Sequence, residues 1–482
     1  MNIKLVLRSL GMLLLCESLM LLPSTAISFI YKEGDFLAFL HTILLVLGFG
    51  TTMILIKPKN SHISPKDGFI IVALGWIVIS LFGAFPFYLS GAIPSFIVAF
   101  FESCSGFTTT GATLISDIEM LPKGILFWRS FTIWVGGMGI LLLTIAILPS
   151  MGIGSMQIMK AETPGPIIGK IVPRLGASAK ILYGIYLTFT LVLIVLLILA
   201  GMPIYDAFLH AFGTLGTGGS SNRSLSISHY DNLVIDTIIT FFMILSGINF
   251  SLYYFLMKGH IKSFFKDQEL RLYFIIMGLS IFLITCNLFF TKHYDSISSA
   301  FRYSSFQIAS IMTSTGYTTT DFNLWPTFSK ILLLILMILG GCAGSTAGGM
   351  KLSRILIGFR SFKYAFKRII HPHACYVLRF NNKKVEESII LSVATYFFGY
   401  FLVFLVGILI ISLDNFDLTT TLTSVITTLN NVGLGFELIG PTGNFSCFST
   451  LSKMTLSLLM IIGRVEIYPI LLLFIPEVWK KN

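Results

Sequence analysis

The chain has 482 residues, of which 55% are hydrophobic and 11% are charged, and its formal net charge is +11. Soluble domains carry about a quarter charged residues, so this composition excludes an ordinary soluble protein and predicts an integral membrane protein. Apolar runs such as Ile181–Ala200 must be helical, because lipid cannot satisfy a free backbone amide.

The lysines and arginines lie in short clusters between the apolar runs. By the positive-inside rule these clusters are cytoplasmic, which predicts that both termini and every second loop lie inside the cell. The basic charge is therefore a signal of membrane topology and does not indicate a nucleic-acid partner. The clusters are Lys4 with Arg8, Lys57–Lys66, Lys160–Lys180, Lys258–Arg271, Lys351–Lys384 and Lys480–Lys481.

Residues 1–60 predict a transmembrane helical hairpin. Lys4, Arg8 and the apolar run after them are typical of a signal peptide, but the run continues to Tyr31 and is long enough to span a bilayer. A short charged turn then leads into a second apolar segment, Phe36–Ile56. A retained hairpin is therefore the better interpretation.

The remaining sequence predicts four related repeats around a central pore, at residues 61–150, 151–258, 259–357 and 358–482. Each repeat has an incoming helix, a short pore helix, a small polar turn and an outgoing helix. A basic cytoplasmic linker opens the fourth repeat, and glycines interrupt the outgoing helix of the third. The predicted helices are Gly68–Ser90, Pro94–Phe107 and Gly124–Leu148; Lys180–Ala200, Pro203–Thr214 and Leu233–Met257; Leu272–Phe290, Ser296–Thr313 and Phe328–Leu356; and Ser388–Leu413, Asp417–Leu429 and Thr450–Ile475.

The pore helices are the informative elements of this pattern. Ser95–Phe107 and Ile204–Thr214 have 11–13 residues, whereas a membrane-spanning helix needs about 20. Backbone that re-enters a membrane survives only where protein buries it or where it lines a watery cavity. The carbonyl end of each pore helix, which favours a cation, faces the small polar turn that follows.

The four turns are Thr108–Gly111, Leu215–Gly218, Ser314–Tyr317 and Asn430–Gly433. A single turn of this kind is more often a plain loop or a helix-packing contact. Four of them at the same place in four repeats favour a ring of backbone carbonyls around an ion, which is how cation filters are built.

No motif in the sequence predicts an enzyme. The chain lacks HExxH, GxSxG, paired catalytic carboxylates, a phosphate loop and a dinucleotide-binding fingerprint. Its six cysteines show no paired spacing, and His371–Cys375 lies in a basic run without acidic partners, which favours a cytoplasmic linker over a metal site.

Taken in order, these motifs resemble the Trk/Ktr/HKT superfamily of cation transporters, and within it the TrkH-type membrane subunit of bacterial potassium uptake. The resemblance covers essentially the whole chain, and the additional N-terminal hairpin is similar to the TrkH branch rather than to the shorter KtrB branch. The motifs that carry it are Ser105–Thr113, Phe127–Ser130, Trp134–Gly139, Gly247–Phe250, Gly340–Lys351, Asn430–Gly433 and Gly463–Glu466.

The resemblance implies that the four turns form a potassium filter with glycines Gly111, Gly218, Gly316 and Gly433. Glycine lets the backbone present carbonyls that a side chain would obstruct. Four glycines imply selectivity for potassium over sodium, whereas the different turn sequences imply a pseudo-fourfold, less discriminating filter. The residues that would supply the other carbonyls are Thr109 and Thr110, Gly216 and Thr217, Ser314 and Thr315, and Asn431 and Val432.

The segment Gly340–Gly349 contains five glycines, each costing a helix about 1 kcal/mol relative to alanine. Spacing alone fits a kinked packing contact equally well, but the resemblance implies an intramembrane loop that moves to let ions pass. It also places Arg464 beside that loop as a fixed cation, and an ion pair with Glu466 or Glu17 is the alternative. The gate residues would be Gly340, Gly341, Gly344, Ser345, Thr346, Gly348, Gly349 and Arg464.

Two further charged residues lie on predicted pore helices. Glu102, on the first, is expected to attract cations toward the pore mouth. Arg302, on the third, is expected to be structural, with a partner that the sequence does not identify.

The predicted function is a potassium-translocating subunit of a bacterial inner membrane, with K⁺ as the transported ion, no cofactor and no catalysis. A secondary transporter that couples potassium to sodium or protons is the alternative, because broken helices suit that mechanism too. The resemblance also implies a homodimer docked on a cytoplasmic nucleotide-binding ring of the TrkA (RCK) type. The docking surface is assigned to Lys351–Lys384 and to the loop Gly152–Lys180.

Overall fold

The computed structural model describes residues 2–58, 63–139, 175–371 and 377–479. Within these ranges the regular structure is helical, apart from one antiparallel hairpin of Arg379–Phe380 with Lys383–Lys384. Six described helices are long and apolar enough to cross a membrane, and a strongly bent pair is a seventh candidate. The predicted all-α membrane fold is confirmed.

The N-terminal hairpin consists of Ile3–Tyr31 and Phe36–Ile54. The two helices approach closely at Gly11 and Gly50, where a Cβ on Gly11 would lie 2.8 Å from the Gly50 carbonyl oxygen. Small residues at such crossings let helices pack in lipid, where no hydrophobic effect drives them together. The first helix also packs against repeat one, so the hairpin is integrated into the bundle.

Repeat one begins with the incoming helix Pro65–Phe82 and a short helix, Phe85–Leu89. The pore helix Phe96–Phe107 and the outgoing helix Lys123–Gly137 follow. The predicted continuation of the outgoing helix to Leu148 lies outside the described residues.

Repeat two differs from its prediction in the outgoing segment. One continuous helix over Leu233–Met257 is wrong, because the chain bends by 93° between two shorter helices. The side chain of Asn249 accepts a hydrogen bond from the Ser251 amide at 2.9 Å and so caps the second of them. The elements are Leu175–Leu199, the pore helix Ile204–Gly216, the 3₁₀ turn Ser226–Tyr230, Leu233–Ser246, Phe250–Met257 and the short helix Ile261–Lys266.

Repeat three contains the predicted glycine interruption. Residues 340–351 are not helical, and Gly340, Gly344 and Gly349 have φ between 70° and 79°, a region that other residues rarely adopt. The helix after the break crosses the predicted boundary at residue 357 and so joins repeats three and four. The elements are Gln268–Phe290, the pore helix Ile297–Met312, the 3₁₀ turn Phe322–Leu324, Thr327–Leu339 and Leu352–Ile370.

Repeat four ends in a second broken helix. One helix over Thr450–Ile475 is wrong, because Glu466 has φ of 71° and ends the first part of it. The elements are Glu387–Ile411, the 3₁₀ turn Ser412–Asp414, the pore helix Leu418–Leu429, the 3₁₀ turn Glu437–Ile439, Thr450–Val465, Ile467–Leu473 and Pro476–Trp479.

The four repeats close into a ring. The outgoing helix of repeat one packs against the pore helix of repeat two, and the same contact joins repeats two and three and repeats three and four. The outgoing helix of repeat four then packs against the pore helix of repeat one. Ring closure brings the four turns that follow the pore helices together at the centre.

Ion pairs reinforce the contacts between neighbouring repeats. Arg302, on pore helix three, pairs with Asp236 on the outgoing helix of repeat two, with 2.6 Å between Nη2 and Oδ2. A longer contact of 3.4 Å joins Arg302 to Asp231. Asp236 is therefore the partner that the sequence does not identify, and it neutralises a charge in a chain whose apolar surroundings penalise unpaired charges.

Candidate functional site

Each of the four turns begins with the same backbone conformation. One residue just after the end of each pore helix lies in the left-handed region, with φ between 54° and 57°. These residues are Thr109, Thr217, Ser314 and Asn431. The next amide donates a hydrogen bond to the carbonyl five residues upstream, at 2.7–3.0 Å. These bonds join Thr110 to Ser105, Gly218 to Gly213, Thr315 to Ser310 and Val432 to Thr427.

A glycine follows in every turn, again with positive φ. The four are Gly111, Gly219, Gly316 and Gly433, with φ between 54° and 84°. The second turn is therefore shifted by one residue from the prediction: Gly219 is the equivalent of the other three, and Gly218 occupies the position of Thr110. The prediction aligned Thr217–Gly218 with the Thr–Gly pairs of the first and third turns. Two adjacent glycines follow Thr217, so the sequence alone does not tell which of them is the equivalent glycine.

The four turns touch one another around a closed ring. A Cβ placed on any of these glycines would overlap a carbonyl oxygen of the next repeat. The overlaps join Gly111 to Gly218, Gly219 to Thr315, Gly316 to Val432 and Gly433 to Thr110. Both the backbone conformation and the space thus require glycine, because any other residue would strain the turn and displace its neighbour's carbonyl.

Hydrogen bonds behind the turns hold them in place. The Ser105 hydroxyl donates to the carbonyl of Ala112 at 2.6 Å, and Ser310 makes the same bond to Tyr317 at 2.7 Å. Repeat four uses a side-chain amide instead of a hydroxyl, since Nδ2 of Asn431 donates to the Thr110 hydroxyl at 2.9 Å. Repeats one and three are therefore close copies, whereas repeat four is fixed differently, as the pseudo-fourfold prediction implies.

A cavity of about 130 Å³ opens on one side of the ring. Gly111, Gly219 and Gly316 line it, together with Leu434, the residue after the fourth glycine. The participation of Gly219 is a second observation in favour of the corrected register. We call this cavity the vestibule.

Glu102 does not play the role predicted for it. Its side chain is buried and accepts hydrogen bonds from the Leu114 amide at 2.6 Å and from the Thr113 hydroxyl at 2.8 Å. It also pairs with the buried Arg129, with 3.1 Å between Oε2 and Nε. Arg129 in turn donates to the carbonyl of Ser221 at 3.2 Å. The pair supports the wall of the vestibule and presents no free carboxylate to an incoming cation.

Asp206 organises the loop that follows the second turn. It accepts hydrogen bonds from Asn222 and from the Tyr230 hydroxyl, each at 2.7 Å. Burial raises the pKa of the Tyr230 phenol, and the hydrogen bond to Asp206 raises it further. The hydroxyl therefore stays protonated and keeps its bond to Asp206 over the physiological pH range.

The glycine loop 340–351 contacts the pore-helix ends of the turns, on the opposite side from the vestibule. The Gly348 amide donates to the Ser314 hydroxyl at 2.5 Å, and the Gly349 amide donates to the Asn430 carbonyl at 3.0 Å. The Thr346 hydroxyl donates to the carbonyl of Ser246 at 3.1 Å. The loop is thus bonded to repeats two, three and four directly beneath the ring.

Arg464 links the loop to repeat one. Its guanidinium donates to the carbonyl of Thr346 at 2.8 Å and to the carbonyls of Gly136 and Gly137 at 2.6 Å. Glu466, the alternative partner weighed from sequence, forms an ion pair with Arg354. The cavity beside Arg464 has a volume of only about 10 Å³, which is room for at most one water molecule.

Sequence reasoning assigned no individual role to two residues that bond to the loop backbone, Glu269 beside the loop and Lys351 at its end. Glu269 accepts hydrogen bonds from the loop backbone, and Lys351 donates to the carbonyl of Ala347. Both lie within or beside basic clusters that the topology rule assigns to cytoplasmic surface, although both are buried. A carboxylate in the first turn of an apolar span, at the start of Gln268–Phe290, was the available signal for Glu269.

Comparison with known proteins gives concordant matches over the whole chain. The family model described as "TrkH: Cation transport protein" matches residues 37–481. The "Trk system potassium uptake protein TrkH" of Salmonella typhimurium is 37% identical, and that of Vibrio parahaemolyticus is 38% identical, each covering 100% of both chains. The crystal structure of the potassium transporter TrkH from Vibrio parahaemolyticus superposes with a TM-score of 0.89 at 35% identity, again over 100% of both chains.

The corrected register predicts opposite outcomes for two adjacent glycines. Gly219→Ala places a Cβ against the Thr315 carbonyl in a left-handed conformation, which costs about 1–2 kcal/mol in backbone strain alone. It should abolish the discrimination between rubidium and sodium flux in proteoliposomes. Gly218→Ala has the Ile133 side chain as its nearest neighbour, at 2.6 Å, rather than a backbone carbonyl, and should keep more of that discrimination. The reverse order of severity would restore the register predicted from sequence.

The Glu102–Arg129 pair predicts a stability defect. Glu102→Ala leaves Arg129 buried without its partner and should cost about 3–5 kcal/mol, measured as a lower thermal unfolding temperature in detergent. The matched control is Glu119→Ala, which removes an exposed partner of Arg223 at 3.7 Å and should change stability by less than about 1 kcal/mol. A stable Glu102→Ala protein with weakened cation affinity would instead make Glu102 a mouth carboxylate.

Proposed function

Because the chain belongs to the TrkH family of cation transport proteins, we propose that it is the potassium-translocating membrane subunit of a bacterial Trk-type uptake system. The observation that carries this proposal is the ring of four glycine turns in mutual contact. The relatives named as potassium uptake proteins support it, since they match the chain from end to end.

In this proposal the turns form the selectivity filter. Backbone carbonyls there replace the water around a potassium ion, and the carbonyl ends of four pore helices add a favourable potential. The hydrogen bonds behind the turns keep those carbonyls in place when no ion is bound. The filter residues are Thr109, Thr110 and Gly111; Thr217, Gly218 and Gly219; Ser314, Thr315 and Gly316; and Asn431, Val432 and Gly433, with Gly216 just outside the second turn.

The glycine loop and Arg464 form the gate. In the closed state the loop lies beneath the filter, held to Ser314 and Asn430, and Arg464 places a fixed cation beside it. Opening requires the loop to leave these partners. The positive φ angles of Gly340, Gly344 and Gly349 give the backbone a conformation that a regular helix cannot adopt.

The driving force is the membrane potential, which supplies about 2.3 kcal/mol per charge for each 100 mV, so a channel-like pathway needs no cofactor and no catalysis. Coupling of potassium to sodium or protons is the second candidate, and one observation favours it. Glu17 is fully buried, and among the described residues neither of its carboxyl oxygens has a hydrogen-bond partner. An isolated intramembrane carboxyl group of this kind is a candidate proton carrier.

The partner assignments extend the same proposal. The subunit is a homodimer in the bacterial inner membrane, with both termini in the cytoplasm, and a nucleotide-binding ring of the TrkA type docks on its basic cytoplasmic face. The helix Leu352–Ile370 and the hairpin of Arg379–Phe380 with Lys383–Lys384 belong to that face. The second assigned surface, Gly152–Lys180, lies mostly outside the described residues.

Rubidium uptake into proteoliposomes tests the function directly. Uptake should follow an inside-negative potential, compete with potassium more strongly than with sodium, and be indifferent to imposed sodium or proton gradients. Liposomes containing the Gly219→Ala protein are the control for the filter, and their uptake should lose the preference for potassium over sodium. A requirement for a sodium or proton gradient would establish the coupled transporter, and uptake no faster than in empty liposomes would reject both.

Arg464 tests the gate. Arg464→Ala removes a fixed cation and three hydrogen bonds to carbonyls, so the basal rubidium flux should rise by about tenfold. Arg464→Lys keeps the charge but loses the planar fork, and its flux should be intermediate. Arg368→Ala, which removes an exposed cation from the cytoplasmic helix, should leave the flux unchanged. Wild-type or lower flux in a well-folded Arg464→Ala protein would assign Arg464 to structure alone.

A further inference from the structure

Glu269 joins the first part of the glycine loop to the helix that follows it. It lies in the first turn of the incoming helix of repeat three, with a side chain that is 5% exposed. A single carboxyl oxygen, Oε1, accepts the amide of Ala343 at 2.8 Å and the amide of Ser353 at 2.8 Å. One residue therefore ties the start of the loop to the helix that follows it.

The loop's contacts with the filter depend on this geometry. Between Ala343 and Ser353 the chain reaches the Ser314 hydroxyl and the Asn430 carbonyl. A loop that leaves those two partners moves more freely when its ends can separate or rotate. Either movement works against the two hydrogen bonds that the Glu269 carboxyl group accepts.

The residues before Glu269 bind a surface hairpin. Asn381, in the turn of the cytoplasmic hairpin Arg379–Lys384, accepts the Gln268 amide at 2.9 Å and donates to the Asp267 carboxylate at 2.6 Å. Asp267 is also the cap of the incoming helix, since it accepts the Leu270 amide at 2.9 Å. Asn381 thus fixes the helix turn that carries Glu269.

Arg360 joins the hairpin to the helix that follows the loop. Its Nη1 donates to the Gln268 side-chain oxygen at 2.8 Å and to the carbonyl of Arg379 at 2.6 Å. The hairpin itself is basic and exposed at Arg379, Lys383 and Lys384. Hydrogen bonds from a basic cytoplasmic surface therefore reach Asp267 and Gln268, and the next residue along the helix, Glu269, is bonded to the loop and to the helix after it.

We propose that Glu269 is a positioning residue that latches the loop closed, and that the hairpin holds this latch through Asn381. The inference rests on the proposed function, because it takes the loop to be the gate. It adds the route by which a movement of the cytoplasmic surface reaches that gate, and it assigns a role to two residues outside the loop and the filter.

Basal rubidium efflux from proteoliposomes containing the full chain alone tests the latch. Glu269→Ala removes both bonds and should raise the efflux by about tenfold or more. Glu269→Gln keeps an acceptor oxygen of the same shape and should raise it by only about threefold. A protein without residues 344–348, which lacks the loop itself, sets the upper limit for efflux. Size-exclusion profiles check that each variant is folded.

Two neighbouring asparagines test the hairpin. Asn381 and Asn382 both have positive φ, of 48° and 63°, so replacement by glycine strains neither backbone. Asn381→Gly should raise the basal efflux by about threefold, whereas Asn382→Gly, at an exposed position, should leave it unchanged. In a double variant with Glu269→Ala, Asn381→Gly should add nothing, because both act through one latch.

The outcomes separate the latch from the gate. If the loop deletion raises basal efflux but the Glu269→Ala protein has the efflux of the wild type, the latch is overturned and the gate stays in place. A loop deletion with wild-type efflux would overturn the gate, and the latch with it. Equal effects of Asn381→Gly and Asn382→Gly, or additive effects in the double variant, would overturn the connection to the hairpin.

Discussion

The structure depends on the absence of a side chain at four positions. Gly111, Gly219, Gly316 and Gly433 lie so close to carbonyl oxygens of the neighbouring repeat that even one carbon would overlap them. The four pore helices can therefore end side by side, and each outgoing helix packs on the next pore helix to close the ring. The pore helices are short because their carbonyl ends must stop at this ring.

Charge inside the bundle is neutralised wherever it supports the ring. Glu102 pairs with Arg129 beside the vestibule, and Arg302 pairs with Asp236 between repeats two and three. Arg464 has a different role, because its guanidinium donates to backbone carbonyls of repeat one and of the loop. The two ion pairs therefore join elements around the ring, whereas Arg464 bonds repeat one to the glycine loop.

Much of this arrangement could be predicted from sequence, because repetition and helix length are properties of the sequence itself. The four helix–turn–helix repeats, the short pore helices and the glycine interruption after Leu339 follow from apolar run lengths and glycine density. The bend before Phe250 and the break at Glu466 were not predicted, because glycine and polar residues such as those at Gly247–Asn249 and Gly463–Glu466 are also tolerated in unbroken membrane helices. The choice of Gly219 over Gly218 depends on which amide bonds to Gly213, and that contact is fixed by the fold.

The role of Glu102 was also out of reach, since a carboxylate near a pore mouth is indistinguishable in sequence from one paired with an arginine 27 residues later. The proposed function requires a cation bound where the four turns meet. Anomalous diffraction from crystals grown in rubidium or thallium locates such ions directly. A peak on the ring axis, in contact with the carbonyls of Thr110, Gly218, Thr315 and Val432, is the expected result. An empty axis with a peak elsewhere in the bundle would contradict it.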